Sequence, residues 1–105
     1  MQHQHLRWFV CALMVAFALA GESAWSQDRT AQSLAANCTG CHGPNGVSAG
    51  AIPSIAGLDK AYFVTALQEF KAGTRQATIM HQHAKGYTDQ EIELLAAYFS
   101  QQKRP

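Results

Sequence analysis

Two cysteines and a histidine form the most chemically specific group in the sequence, Cys38-Thr39-Gly40-Cys41-His42. Two thiols three positions apart can form thioethers with the two vinyl groups of one porphyrin. The imidazole that follows at once can bind the porphyrin iron from one face. The pattern therefore predicts one covalently attached c-type haem, with Cys38 and Cys41 as attachment residues and His42 as an iron ligand.

The same pair of cysteines also occurs in redox disulfides and in zinc sites. A thioredoxin-like dithiol belongs at a helix N-terminus in a strand-rich domain, whereas residues 31–36, just before Cys38, have the composition of a helix. A zinc site would have to recruit His81 and His83, whose spacing is tighter than the gap of about three to five residues typical of structural zinc sites. Haem attachment fits the pattern better than either alternative.

The N-terminal segment predicts export from the cytoplasm. Residues 9–20 are uniformly apolar, and Ala24 and Ser26 provide an A-x-A-like cleavage site. We therefore expect residues 1–26 to be a cleavable signal peptide and the mature protein to be periplasmic. A membrane span needs about 20 apolar residues, so a run of twelve favours a cleaved signal peptide over an uncleaved membrane anchor, which stays open as the alternative. We expect no stable membrane insertion after processing. Ala18 and Ala20 offer an earlier cleavage site.

Residues 27–105 are expected to form one monohaem domain. This length buries only a small core, so a haem tied by two covalent bonds and an iron ligand would supply much of the stability. The net charge of the chain is +1, which favours neither nucleic acid nor a charged membrane surface as a partner.

The predicted fold class is all-α, with three helical segments. The first spans about residues 28–37 and leads to Cys38. The second begins after Asp59, a good N-cap, and ends at Ala72 before Gly73, a residue typical of helix C-termini. Its expected apolar stripe contains Tyr62, Phe63, Ala66, Leu67 and Phe70. Tyr62 is expected to pack in the core, with a hydrogen bond to a haem propionate as the alternative.

The third helix follows a capping box, Thr88-Asp89-Gln90-Glu91. Its apolar residues recur at helical spacing, so we expect four side chains to be buried: Ile92, Leu95, Ala96 and Phe99. Residues 101–104 are polar and predict a solvated tail.

Between the first two helices, residues 43–57 are rich in glycine and proline and predict an irregular loop wrapped closely around the haem. Ile52, Ile55 and Leu58 would pack either against the porphyrin or against the rest of the protein. A backbone carbonyl near Pro53 is expected to accept the free N–H of His42, which would fix the ring and make it a more electron-rich ligand.

The second iron ligand should come from residues 73–87, between the last two helices. Met80 offers a thioether, which raises the reduction potential, whereas His81 and His83 offer imidazoles, which would lower it. Methionine is often a core filler and histidine in a polar stretch is often exposed. The residues alone therefore leave all three candidates open.

Three pieces of the sequence resemble class I cytochromes c: Cys38-Thr39-Gly40-Cys41-His42-Gly43, Ile52-Pro53 and Thr78-Ile79-Met80. The resemblance covers essentially all of residues 27–105. It implies a small cytochrome c fold with three or more helices and irregular loops around one covalent haem c, exposed at one edge. It also implies His42 as the proximal iron ligand and Met80 as the distal one.

Within that family, residues 45–48, 52–57, 77–80 and 84–87 are similar to the cytochrome subunit of flavocytochrome c sulfide dehydrogenases. The similarity implies a periplasmic electron carrier, not itself an enzyme, that accepts single electrons from a flavoprotein sulfide dehydrogenase subunit. A soluble redox acceptor would then take them. His81 and His83 are not expected of that subunit, and we expect them to be ordinary exposed residues.

Three other functions stay open at this point. They are a free cytochrome c shuttle, the haem subunit of another dehydrogenase or oxidase, and a gas-binding haem sensor in which Met80 does not bind iron.

Overall fold

A computed structural model describes residues 24–105, and these residues form helices and loops without a strand. The helices are α1 (residues 24–42), α2 (Lys60–Ala72), α3 (Met80–Lys85) and α4 (Asp89–Ser100), with a 3-10 turn at Pro44–Gly46. The predicted all-α class is confirmed. The apolar run of the expected signal peptide, residues 9–20, lies outside the described residues. None of the described helices has the length and apolarity needed to cross a membrane.

α1 is longer than predicted, because it continues through the Cys-x-x-Cys-His motif instead of ending near residue 37. Two backbone carbonyls near the end of the helix accept hydrogen bonds. The Thr39 hydroxyl donates to the Ala36 carbonyl at 2.9 Å, and the Gly43 N–H donates to the Thr39 carbonyl at 3.0 Å. Residues three and four apart share one face of a helix. The extra turns therefore bring Cys38, Cys41 and His42 to the same face.

The predicted caps of α2 are confirmed. The Asp59 carboxylate accepts the Tyr62 N–H at 2.9 Å, and Gly73 follows the helix with a left-handed φ of 77°. A carboxylate at this position satisfies an amide that the helix leaves unpaired, and glycine adopts positive φ without a steric penalty. Both ends of α2 are thus determined by local sequence.

The predicted capping box of α4 is also confirmed. The Glu91 N–H donates to the Thr88 hydroxyl at 3.2 Å, and the Thr88 N–H donates to the Glu91 carboxylate at 2.8 Å. These reciprocal bonds satisfy two backbone amides at the start of the helix.

The core lies where α1, α2, α3 and α4 meet. All four predicted α4 residues are fully buried, and the Phe99 ring stacks on the Phe63 ring of α2 with centroids 5.7 Å apart. Burying a side chain as large as Phe or Leu stabilises a fold by about 1.5–3 kcal/mol. The core cluster consists of Ala35, Phe63, Leu67, Ala84, Ile92, Leu95, Ala96 and Phe99.

One sequence-based expectation about the surface is wrong. Tyr62 is 49% exposed rather than packed in the core, whereas Phe63 and Leu67 are buried and Phe70 packs against the core cluster. The expected tail is solvent-exposed at Gln101, Lys103 and Arg104, and it is also attached to the fold, since Arg104 Nε donates to the Gly57 carbonyl at 2.8 Å. This contact links the chain end to the loop that precedes α2.

α3 was not predicted from the sequence. It has only six residues and no side-chain cap at its start, so neither periodicity nor a cap motif identifies it. Its position depends on Ala84, which is fully buried in the core. The helix places Met80 at its first position.

Candidate haem site

The two cysteines of the motif lie at different depths. Cys38 is half-buried and packs against the core, whereas Cys41 is exposed, and the two thiols are not joined in a disulfide. Burial raises the pKa of the Cys38 thiol, and the neighbouring Tyr87 side chain offsets part of this increase. Dithiol oxidoreductases instead depend on a cysteine of lowered pKa. The environment of Cys38 therefore disfavours the thioredoxin-like alternative.

His42 has one ring nitrogen committed to the protein. The residue is 9% exposed, and its Nδ1 lies 2.6 Å from the Pro53 carbonyl oxygen. A carbonyl only accepts, so Nδ1 must carry the proton and donate. The other nitrogen, Nε2, then keeps its lone pair and is the ring atom able to bind iron. The contact expected near Pro53 is confirmed.

The loop after α1 is folded back so that Pro53 reaches His42. The Gly46 carbonyl accepts the N–H groups of Ile55 and Ala56 at 2.8 and 3.1 Å. The Ser48 N–H donates to the Ser54 hydroxyl at 2.9 Å. These bonds, on either side of residues 49–53, fix the position of the Pro53 carbonyl.

The three candidates for the second ligand differ in their surroundings. Met80 is half-buried and packs against the core cluster, His81 is half-buried, and His83 is exposed. Across residues 24–105, no three His, Cys, Asp or Glu side chains come together as a metal-binding cluster. The zinc alternative, which required both histidines to join the cysteines, thus has no assembled ligand set in the described part of the chain.

The residues present fit a haem. α1 offers two thiols on one face together with an imidazole whose Nε2 is free to bind iron, and α3 offers a soft thioether at its first position. Ile52 and Ile79, which are 42% and 53% exposed, are the sequence neighbours of Pro53 and Met80. A large apolar ring requires donor atoms and apolar side chains of this kind.

Sequence reasoning missed the residues that attach the Met80 segment, defined as residues 73–87, to α2. Lys71 Nζ donates to the Tyr87 carbonyl at 2.7 Å, and Arg75 contacts Glu69 and Tyr62. Isolated basic residues in polar stretches carry no pattern from which such contacts can be predicted.

The fold and the site define the class of protein. The model of the cytochrome c family matches residues 28–103, which is most of the chain. The protein belongs to the cytochrome c family, in agreement with the all-helical fold and the Cys-x-x-Cys-His motif. Haem c is the covalent cofactor of this family, and Cys38 and Cys41 fit its attachment motif.

Particular members of the family are similar over much of the chain. The cytochrome subunit of sulfide dehydrogenase from Chlorobaculum tepidum is 53% identical over 66 residues, which are 63% of this chain and 60% of the relative. A thiosulfate dehydrogenase electron acceptor from Stutzerimonas stutzeri is 34% identical over 86 residues, 80% of this chain and 39% of the relative. Cytochrome c-554(548) from Halomonas halodenitrificans is 30% identical over 88 residues, 80% of this chain and 100% of the relative.

The chain therefore spans less than two thirds of the first two relatives and the full length of the third. Together with the family match, these similarities support a haem electron-transfer protein.

Proposed function

We propose that this protein is a single-haem electron carrier in which His42 and Met80 are the axial iron ligands and Cys38 and Cys41 the attachment residues. The observation that carries the proposal is the 2.6 Å contact between His42 Nδ1 and the Pro53 carbonyl, which commits one ring nitrogen and leaves the other for iron. When bound, haem c supplies reversible one-electron chemistry. The chain itself contributes ligands, orientation and shelter from water.

His42 and Met80 have complementary roles in this proposal. The hydrogen bond to Pro53 holds the imidazole in one tautomer and one orientation and increases its basicity. Met80 contributes a thioether, which stabilises reduced iron and raises the potential. In the gas-sensor alternative Met80 does not bind iron, so binding of iron by Met80 would count against that alternative.

For the partner, we propose the flavoprotein subunit of a sulfide dehydrogenase, with a soluble redox protein as the next acceptor. The support is the 53% identity to the cytochrome subunit of sulfide dehydrogenase, which is higher than the identity to the other two relatives described above. In this role the chain is the non-catalytic subunit and receives electrons singly.

The partner proposal is tested by combining purified holoprotein with a sulfide dehydrogenase flavoprotein subunit. We expect sulfide to reduce the haem rapidly only when that subunit is present, and the two chains to co-elute from a gel-filtration column with flavin and haem absorbance together. Reduction by sulfide at the same rate without the flavoprotein, or separate elution with no enhancement, would contradict the partner.

A second candidate is a free shuttle that serves no fixed partner. It is favoured by the similarity to cytochrome c-554(548), all of whose length this chain covers, and by the similarity to a thiosulfate dehydrogenase electron acceptor. Reduction by several unrelated donors at comparable rates, without a stable complex, would distinguish the shuttle from the subunit.

We also propose that residues 1–26 are a signal peptide, that residues 27–105 form the monohaem domain and that the mature protein is periplasmic. The support is the apolar run with its A-x-A-like site and the need for haem attachment after export. N-terminal sequencing of protein from a periplasmic fraction tests the cleavage site and the location. A mature N-terminus at Gln27 is expected, and full-length protein in the cytoplasm would contradict the proposal.

A further inference from the structure

We propose that Arg75 is a positioning residue for Met80: it clamps the Met80 segment onto α2 and thereby slows the displacement of Met80 by other ligands. This inference rests on the proposed function, because it takes Met80 as the distal iron ligand.

The Met80 segment is attached to α2 at both of its ends. At its start, the N–H groups of Thr74 and Arg75 donate to the Glu69 carbonyl at 3.0 and 3.4 Å. At its end, Lys71 Nζ donates to the Tyr87 carbonyl at 2.7 Å. Both anchoring residues belong to the last turn of α2. The segment therefore forms a loop whose two ends are fixed at the same place.

Arg75 adds a side-chain attachment near the start of this loop. Its Nη1 contacts the Glu69 carboxylate at 3.2 Å, and its Nη2 donates to the Tyr62 hydroxyl at 2.9 Å. The guanidinium carbon also lies 5.6 Å from the centre of the Tyr62 ring and 5.2 Å from the centre of the Phe70 ring. One planar cation thus contacts three side chains of α2.

These contacts are of the kind that only arginine makes. An exposed ion pair alone contributes little, but a guanidinium can stack on aromatic faces and donate in its own plane at the same time. The compact ammonium group of lysine cannot do both. The exposure of Tyr62 agrees with this arrangement, since its ring and its hydroxyl both contact Arg75.

Little else secures the chain between Arg75 and Met80. Residues 76–79 contain no buried side chain, and Ile79 is 53% exposed. After Met80, the chain is held by α3 and its buried Ala84. Arg75 is therefore the last side-chain attachment to α2 before Met80, and its loss would free residues 76–79 to move away together with Met80.

The test measures how fast imidazole displaces Met80 from the oxidised holoprotein. We expect Arg75→Ala to accelerate capture of imidazole about tenfold, the effect of losing two exposed cation–π contacts, one exposed ion pair and the hydrogen bond to the Tyr62 hydroxyl. Arg75→Lys should accelerate imidazole capture almost as much as Arg75→Ala, because lysine cannot replace the contacts of the guanidinium. The far-red sulfur-to-iron absorption band should persist in both variants before imidazole is added, because the clamp affects exchange rather than the resting ligand.

Lys60→Ala is the matched control. Lys60 lies at the other end of α2 and forms an exposed ion pair with Glu93 at 3.1 Å, similar in length to the Arg75–Glu69 pair at 3.2 Å. We expect its capture rate to stay within about twofold of the wild type. Tyr62→Phe keeps the ring and removes only the hydroxyl, so it should accelerate capture by about threefold and provides a measurement if Arg75→Ala does not mature.

A wild-type capture rate in Arg75→Ala and Tyr62→Phe, with a normal far-red band, would overturn the clamp and leave the ligation by Met80 intact. Absence of that band from the wild type would overturn the ligation and the clamp together.

Discussion

Gly46 is a position where a single methyl group should damage the loop that orients His42. Its φ is +79°, and a Cβ added there would lie 2.8 Å from Ile55 Cγ1 and 2.9 Å from Phe99 Cδ1. Its carbonyl also accepts the N–H groups of Ile55 and Ala56. Gly46→Ala should therefore strain the backbone and push the loop away from the core.

The expected loss has two parts. The left-handed conformation costs a non-glycine residue about 1–2 kcal/mol, and an extra methyl in a well-packed core typically costs about 1–3 kcal/mol. Together they predict a decrease of about 2–5 kcal/mol in the free energy of unfolding. For a domain of this size each kcal/mol lowers the melting temperature by about 4–8 °C, so Gly46→Ala should melt at least about 8 °C below the wild type.

Two other glycines separate these contributions. Gly73 has a φ of +77° but nothing within 4 Å of an added Cβ, so Gly73→Ala should cost only the conformational part, about 1–2 kcal/mol. Gly50 has neither a positive φ nor a neighbour within 4 Å, and Gly50→Ala should stay within about 0.5 kcal/mol of the wild type.

The assay is thermal unfolding of the holoproteins followed by circular dichroism. The expected order of melting temperatures is Gly50→Ala, then Gly73→Ala, then Gly46→Ala. Equal melting temperatures for the Gly46 and Gly73 variants would refute the close packing of Gly46 against Phe99.

Three further outcomes are expected. Thr88→Ala should lower the stability of the holoprotein by about 1 kcal/mol through loss of the capping box, whereas Thr88→Ser should retain most of it; an unchanged melting temperature in Thr88→Ala would refute the cap. Burial raises the pKa of Tyr87 above the ordinary tyrosine value of 10.0, so the neutral phenol is favoured in the folded protein. The stabilisation that this pKa shift contributes is complete below about pH 10 and is lost as the pH rises through the folded-state pKa. Urea unfolding should therefore show a smaller loss of stability above about pH 10 in Tyr87→Phe than in the wild type, and parallel pH profiles of the two proteins would contradict this prediction. Haem-free protein should lack a cooperative melt by circular dichroism because the core of so short a chain is small, and a native-like transition would contradict this dependence on haem.

The elements with strong local signals could be predicted from the sequence. Asp59 and Gly73 delimit α2, and Thr88 with Glu91 starts α4, because each cap satisfies backbone groups within a few residues. The buried face of α4 follows from its 3.6-residue period. The partner for the His42 N–H could be anticipated near Pro53 because a ligating histidine usually donates its other N–H to a fixed acceptor.

The parts that depend on tertiary contacts could not be predicted. α3 is too short for a periodic signal, and Ala84 is its one fully buried residue. Tyr62 looked like a core residue because its spacing matched the stripe, but its side chain is exposed and its hydroxyl accepts from Arg75, thirteen residues later. The extension of α1 through Gly40 likewise depends on hydrogen bonds in the last turn rather than on residue propensity.

The central claim, that His42 and Met80 hold the iron of an electron carrier, is tested most directly by the visible spectrum of holoprotein matured with haem-attachment machinery. The account predicts low-spin bands in both redox states and a weak far-red sulfur-to-iron band in the oxidised wild type, which Met80→Ala should lose. A wild-type spectrum without that band, or a band that survives in Met80→Ala, would contradict it.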